Sequence, residues 1–270
     1  MNFEEFWTRG DVHERVKIAL KEANLLEKKL EIEDLFPLDQ YHARGIAATI
    51  ELADKLNFAK NSTIIDIGCG LGGPARYFSK RFNCNVYGID ITEAFIEIGN
   101  YFNKLTHIDH QVTLLKGDGE NLPYQTEFFD GAVSQHVTMN IENREQFFNE
   151  AFRVLKKGAI FGFSEHGLGT KGSPIFPLPW ADNEDMSFLK TPEYTKSLLK
   201  KIGFKNIKII STGEKYISGY NSLLKKGQSN EKPTLGIHVI GGDSMLERSK
   251  NSMRSIIENR TYPFEIICNR

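Results

Sequence analysis

Cysteine is scarce: Cys69, Cys84 and Cys268 are the only three among 270 residues. An odd and widely spaced set builds no disulfide framework and fits a reducing compartment with inert thiols. Long apolar runs are missing too, since nothing approaches the ~18 residues of a membrane span. The start, Met1-Asn2-Phe3-Glu4-Glu5, is acidic and lacks the apolar core of a secretion signal, so a soluble cytoplasmic protein is expected. Charge of one sign is also lacking. Lysine plus arginine is 34 and aspartate plus glutamate is 35, a net charge of -1. A dedicated nucleic-acid binder needs a strong basic excess to release counterions from phosphates, so that class is disfavoured. One imbalance stands out. Residues 190–270 carry 15 basic against 7 acidic groups, which is either a solvated surface or a mouth that attracts an anion. What remains is an ordinary globular composition, 40% hydrophobic and 26% charged, of a length suited to one large domain or one domain with appendages.

Two helical patterns come first. Asp11 to Leu30 reads as a helix capped by Asp11, with Val12, Val16, Ala19, Ala23, Leu26 and Leu30 on one face. Pro37 interrupts, and a second helix is expected from about Gln40 to Leu56. Then the period changes. Short strands are read at Ser62 to Ile67, Val86 to Asp90, Gln111 to Leu115, Phe129 to Ser134, Ala159 to Ser164, Lys205 to Ile210 and Tyr262 to Cys268. Between them lie helical stretches: Pro74 to Phe82, one capped by Thr92, and Arg144 to Leu155 closed by Lys157-Gly158. Two more begin at Thr191-Pro192 and run over Ser244 to Arg260. This alternation predicts an α/β fold with a doubly wound, mostly parallel sheet. Gly227 to Thr234 is polar and turn-rich and is expected to be a loop.

The chemistry concentrates after the first strand. In Ile65-Asp66-Ile67-Gly68-Cys69-Gly70-Leu71-Gly72-Gly73 the glycines let the backbone approach a ligand, and the next helix points free amides at it. Gly68, Gly70 and Gly73 fit G-x-G-x-x-G, so a dinucleotide site and an NAD-dependent oxidoreductase are one reading. Three acids favour another. Asp66 precedes the first glycine, where it suits a cationic amino-acid group and repels a pyrophosphate. Asp90 ends the second strand, the place for a ribose-diol acceptor. Asp118 ends the third, where a carboxylate can take the adenine amino group. The ligand that wants all three is S-adenosylmethionine (SAM).

With these residues the chain resembles the class I SAM-dependent methyltransferases over essentially its whole length. Within them it is similar to the small-molecule branch of sarcosine/dimethylglycine N-methyltransferases and their sterol, quinone and phosphoethanolamine relatives. The closer likeness is carried by Leu38-Asp39-Gln40-Tyr41-His42, Gly70 to Tyr77, Ser134-Gln135-His136-Val137 and Pro179-Trp180-Ala181. The resemblance implies a seven-stranded Rossmann-like sheet. It also implies an N-terminal helical lid over residues 1–45, a SAM-binding core over 46–165, and residues 166–270 completing the domain on the acceptor side. It implies SAM contacts at Asp66, Gly68, Gly70, Asp90, Ile91, Asp118, Gly119 and Gln135. Gly72 and Gly73 serve either the ligand or tight helix packing.

Methyl transfer from a sulfonium is an in-line displacement, so the protein mainly aligns the nucleophile and excludes water. A base is needed only for a nucleophile that arrives protonated. The candidates are His136 after the fourth strand, His166 after the fifth, and His42 if its helix packs over the SAM site as the resemblance implies. Tyr41, Phe176, Trp180 and Phe188 are candidate walls of the acceptor pocket, able to hold a methylated ammonium by cation–π attraction. His13, His107, His110 and His238 read as structural, and no metal set is seen. The expected function is methyl transfer to a small-molecule acceptor, most simply an amine of glycine-derivative or phosphoethanolamine type. An O- or C-methyltransferase on a quinone, sterol or natural product stays open, as does a non-catalytic SAM-binding subunit. No nucleic-acid or membrane partner is expected, and both monomer and homodimer are admissible.

Overall fold

A computed structural model describes residues 3–8, 11–26, 29–227 and 233–270. Four helices precede the sheet: α1 (Phe3–Trp7), α2 (Val12–Glu22), α3 (Ile32–Asp39) and α4 (Ile46–Leu56). Strands and helices then alternate through β1 (Thr63–Ile67), α5 (Gly73–Phe82), β2 (Asn85–Asp90), α6 (Glu93–Leu105), β3 (Val112–Lys116), β4 (Phe129–Gln135), α7 (Arg144–Val154), β5 (Leu155–Leu168), α8 (Pro192–Ile202) and β6 (Lys205–Ser211). Three helices, α9 (Gly213–Gly227), α10 (Ile237–Gly241) and α11 (Met245–Ile257), separate β6 from β7 (Thr261–Asn269).

The seven strands form one sheet in the order β3-β2-β1-β4-β5-β7-β6. β1 to β5 are parallel, and β7 runs antiparallel to both of its neighbours, β5 and β6. This is the doubly wound, mostly parallel α/β sheet anticipated from the alternation. β1 is buried on both faces, as a central parallel strand must be. Ile65 and Ile67 point into one layer with Phe147 and Phe148 of α7. Ile64 points into the other with Leu52 and Leu56 of α4 and Phe78 of α5.

The expected boundaries need three corrections. The first helix stops at Glu22 rather than Leu30, because Asn24 turns the chain at φ 54. The helix expected from Gln40 to Leu56 begins only at Ile46, because Arg44 (φ 71) and Gly45 (φ 53) adopt left-handed backbone. Pro37 does not interrupt the helical pattern either: it lies inside α3, which ends at Asp39. Third, Lys157-Gly158 is no helix stop followed by a turn. α7 ends at Val154 and β5 begins at once, absorbing Gly158 (φ 80) at a register shift against β4. Most of the loop expected around Gly227 to Thr234 lies outside the described residues. Among the described residues no helix is long and apolar enough to cross a membrane, and all three cysteines are free and buried.

Candidate active site

The carboxyl ends of β1, β2 and β4 lie side by side, and the glycine loop leaves β1 there. Gly68 (φ 80) and Gly70 (φ 53) need the conformational freedom of glycine. Gly68 N–H donates to Ile89 O at 2.7 Å, and a Cβ on it would meet the Val137 side chain at 2.2 Å. Gly70 is different: a Cβ there meets nothing within 4 Å, so its outer side is open for a ligand. Its N–H donates to Asp90 Oδ2 at 2.8 Å, and Thr92 N–H donates to Asp90 Oδ1 at 2.9 Å. Asp90 is thereby locked at the end of β2, with lone pairs left over on both oxygens. Gly72 and Gly73 serve packing. A Cβ would strike Leu114 at 2.6 Å from Gly72, and the Asp39 carbonyl oxygen at 2.4 Å from Gly73.

The remaining cofactor candidates fall around this cradle. Asp66 is 1% exposed, and its Oδ2 has no hydrogen-bond partner. Burial first, and the Asp90 charge second, push its carboxyl up to about 8. Ile91 is exposed, offering an apolar surface past the end of β2. Asp118 is exposed and accepts the Glu120 N–H on Oδ1 at 2.8 Å. Gly119 packs against Phe147, where a Cβ would sit 2.9 Å from the ring. Gln135 is buried, and its Nε2 is unpartnered. An orphaned buried carboxyl, an open glycine and two acids at neighbouring strand ends fit an adenosyl amino acid with a cationic head.

The unpartnered Asp66 gives a testable pH dependence. A carboxyl raised to about 8 is mostly protonated at pH 7, and an ammonium partner favours the ionised form, so binding lowers its pKa. The bound protein then holds fewer protons than the free one. Affinity for SAM is expected to rise with pH, by up to about tenfold per unit, and to level off above 8. The free fold has the opposite trend. A folded-state pKa above the unfolded value stabilises at low pH, and that stability is lost as pH rises from about 4 to 8. Calorimetry at pH 6, 7 and 8 reads the affinity and the proton released. A pH-independent affinity, equal to that of Asp66→Asn, overturns the assignment.

Beside the cradle lies a cavity of about 980 Å³. Its lining includes His42, His136 and His166, so the three histidines come together in space. The His42 and His136 rings stack at 5.7 Å, and His136 meets His166 edge-on at 5.3 Å. His136 has φ 60, an unusual conformation for a residue with a side chain, held by its N–H donating to Ser164 O at 2.8 Å. Its Nε2 lies 2.6 Å from the Tyr216 hydroxyl. His42 Nε2 lies 3.1 Å from Thr49 Oγ1, which in turn contacts Oε1 of Gln40 at 2.6 Å and Oε1 of Gln135 at 3.2 Å. One hydroxyl proton cannot serve two amide oxygens and an imidazole acceptor, so at least one amide turns its Nε2 toward Thr49. His166 is 1% exposed, stacks on Trp180 at 4.5 Å, and neither ring nitrogen has a partner. Burial is the largest cause keeping all three imidazoles neutral. It holds His42 at about 4 and His166 at about 3, and His136 lies well below its ordinary value, helped by His166, His42 and Arg44.

The expected aromatic walls divide. Tyr41 and Trp180 line the cavity, Tyr41 with its hydroxyl 3.5 Å from Met245 Sδ and Trp180 donating to Ser187 Oγ at 3.0 Å. Phe176 and Phe188 are not lining residues. Phe176 packs in a satellite cluster with Leu178 and Leu189. Phe188 is held by its backbone, donating to Met139 O and accepting from Arg144 Nη2. Arg144 itself is buried against Glu165 at 2.8 Å, which anchors the β5 residue next to His166. Residues not anticipated also line the cavity: Gln40, Arg44, Lys215 and Tyr220, with Tyr216 and Thr49 just behind. Among the described residues no cluster of histidine, cysteine or acid is arranged to hold a metal ion.

A family model described as a methyltransferase domain matches residues 65–163. A sterol 24-C-methyltransferase of Candida albicans is 33% identical over 114 residues, 42% of this chain and 30% of that protein. The chain therefore spans less than a third of such relatives' length. A sarcosine/dimethylglycine N-methyltransferase of Halorhodospira halochloris is 26% identical over 82% of this chain and 77% of that one. Among solved structures, phosphoethanolamine N-methyltransferase 2 of Haemonchus contortus, determined with phosphomonomethylethanolamine and S-adenosylhomocysteine, superposes with a TM-score of 0.77. It shares 16% identity and covers 100% of this chain and 60% of its own.

Proposed function

Because the chain carries a methyltransferase domain at residues 65–163 within a class I SAM-dependent methyltransferase fold, we propose that it transfers a methyl group from SAM to a small-molecule acceptor in the cytoplasm. The acceptor atom we favour is an amine nitrogen, as in a glycine derivative or a phosphoethanolamine-like compound. The observation that carries the reading is the adjacency of two spaces: the open Gly70 cradle with its orphaned Asp66, and the histidine-lined cavity beside it. Gln135 ends β4 between them, touching Thr49 on one side with its other amide atom unpartnered. We assign residues 1–45 and 166–270 to enclosing the acceptor around the core at 46–165.

When bound, SAM supplies a methyl on a sulfonium and needs no further activation. The chain's own residues then have to align the acceptor and keep water out. Asp66 receives the cationic head, Asp90 the diol and Asp118 the adenine amino group, while Gly68 lets the backbone turn and Ile91 and Gly119 shape the adenine slot. His42, His136 and His166 present neutral imidazoles to the acceptor, each with one N–H and one lone pair. A nitrogen held at about 4 binds little proton at pH 7, so positioning dominates over base catalysis in this reading.

Two measurements test it. A screen of glycine derivatives, phosphoethanolamine, phenols and quinols with labelled SAM asks whether any acceptor is methylated; none labelled, with SAM not bound, overturns the proposal. His42→Gln and His136→Gln then separate the roles. Loss of aligning contacts is expected to raise KM several-fold, with turnover changed less than about tenfold and the pH profile parallel to the parent's. A drop of about 10²–10⁴ in turnover with a lost pH limb identifies a general base instead.

A further inference from the structure

The cavity corner formed by Arg44 is chemically incomplete. The Arg44 side chain is only 8% exposed. Its Nη2 is spent on Glu51 Oε1, but Nη1 is buried without any partner, and Arg44 lines the cavity. Glu51 does not reach Nη1: one of its oxygens meets Arg44 Nη2 and the other meets Lys215 Nζ at 2.7 Å. Around this carboxylate stand two cations, Arg44 and Lys215; the remaining acid of the lining, Glu214, is exposed at the rim. A guanidinium N–H left bare in a buried wall is costly unless a ligand satisfies it.

The backbone sharpens the point. Arg44 sits at φ 71, where glycine is favoured and a long side chain is strained. Position 44 therefore holds a cation against its local conformational preference. The charge also reaches the histidines, since Arg44 is among the groups that disfavour proton uptake by His42 and His136. Among the described lining residues, a purely cationic acceptor meets only Glu51, already paired, and Glu214, which is exposed.

We propose that Arg44 anchors an anionic oxygen group of the methyl acceptor, a carboxylate or a phosphomonoester, with the accepting atom lying toward His42 and His136. The inference rests on the methyltransferase reading and specifies its acceptor. Tyr216 joins the two ends of the site. The Arg44 Cζ lies 5.9 Å from its ring centroid, and its hydroxyl contacts His136. A compact zwitterion, with an amine at one end and an anion at the other, fits that span better than an apolar acceptor does.

The backbone strain also supplies a variant that leaves the fold intact. Arg44→Gly relieves φ 71 and leaves Glu51 paired with Lys215, so it is expected to fold as well as the parent. Arg44→Gln keeps the side-chain length, removes the charge and repeats the test independently. SAM binding is measured first by calorimetry in all three proteins. N,N-dimethylglycine and phosphoethanolamine are then titrated in, each against the counterpart that keeps the amine and lacks the anion, N,N-dimethylglycinamide and ethanolamine. The expected result is that one anionic compound binds the parent at least about tenfold more tightly than its counterpart, and that both variants lose that advantage. Which compound it is tells carboxylate from phosphate. An equal preference in parent and variants, or none in the parent, overturns the inference. Failure of SAM to bind overturns the methyltransferase reading separately, and the titrations without SAM still decide on Arg44.

Discussion

Arg76→Met is expected to destabilise the protein by roughly 3–5 kcal/mol, the range for removing one partner of a fully buried ion pair. Arg76 is 0% exposed, and every contact it makes joins separate segments. Nη2 donates to Asp39 Oδ2 at 2.9 Å and to Leu71 O of the glycine loop at 2.6 Å. Nη1 donates to Asn103 Oδ1 at 2.7 Å and to Gly99 O of α6 at 3.2 Å. Methionine fills much of the volume and satisfies none of these acceptors. Asp39 is then left buried beside α5, with one oxygen already unpartnered. Urea denaturation measures the loss. The double variant Asp39→Leu/Arg76→Met is expected to recover part of it, because no lone buried charge remains. A single-variant loss under about 1 kcal/mol, or a double variant worse than the sum of the singles, contradicts this account. The same guanidinium holds the glycine loop and the start of the segment Gln40-Tyr41-His42, so the loss is expected to appear in ligand binding as well.

Asp90→Ala is expected to weaken SAM binding roughly hundredfold. A carboxylate that accepts both hydroxyls of a diol makes two charge-assisted hydrogen bonds, each about 1.5–3 kcal/mol. Asp90 also holds Gly70 N–H at 2.8 Å and Thr92 N–H at 2.9 Å, so alanine loosens the cradle itself. Asp90→Asn separates the two effects. It keeps one oxygen for the backbone and loses the charge, so an intermediate loss is expected. Calorimetry with SAM gives the answer, and unchanged affinity in Asp90→Ala removes the diol site from β2. Tight NAD binding by the parent protein points to the dinucleotide reading of the glycine loop instead.

The core was legible in the sequence because a buried parallel strand writes itself locally. The run Thr63-Ile64-Ile65-Asp66-Ile67 is apolar and β-branched, ends in glycine, and becomes β1 nearly residue for residue. Asp66, Asp90 and Asp118 stand out as candidates for the same reason: a strand end followed by glycine or a cap is a local pattern. The acceptor side was legible only in part. Apolar periodicity runs on from Gln40 to Leu56, and it does not show that the helix begins only after Arg44-Gly45, where both residues take left-handed backbone. Arg44 carries no motif that sets it apart from the other cations of the chain. Thr49 and Tyr216 were invisible because their partners are remote, Tyr216 lying 80 positions from His136. Asp39 and Arg76 stood inside the two strings Leu38 to His42 and Gly70 to Tyr77. That one residue of each is the other's partner, 37 positions apart, is knowledge only the fold supplies. Phe176 and Phe188 show the converse limit: an aromatic near a site in sequence need not line it, and Phe176 packs in a separate cluster while neither lines the cavity.

The antiparallel β7 has a consequence for how the molecule is made. Its residues, Thr261–Asn269, are translated after the other six strands of the sheet, yet they sit between β5 and β6. Until they emerge from the ribosome, β5 has a free edge along Ile160 to Leu168, flanked by Phe161 and Phe163, and β6 has no neighbour at all. The nascent chain thus waits with an unpaired apolar edge, the feature that invites pairing with other chains. Synthesis that stalls before residue 261 releases a five-stranded sheet that ends at β5, with β6 left unpaired. Such products are destined for chaperones or aggregates, whatever the health of the cofactor cradle already folded upstream.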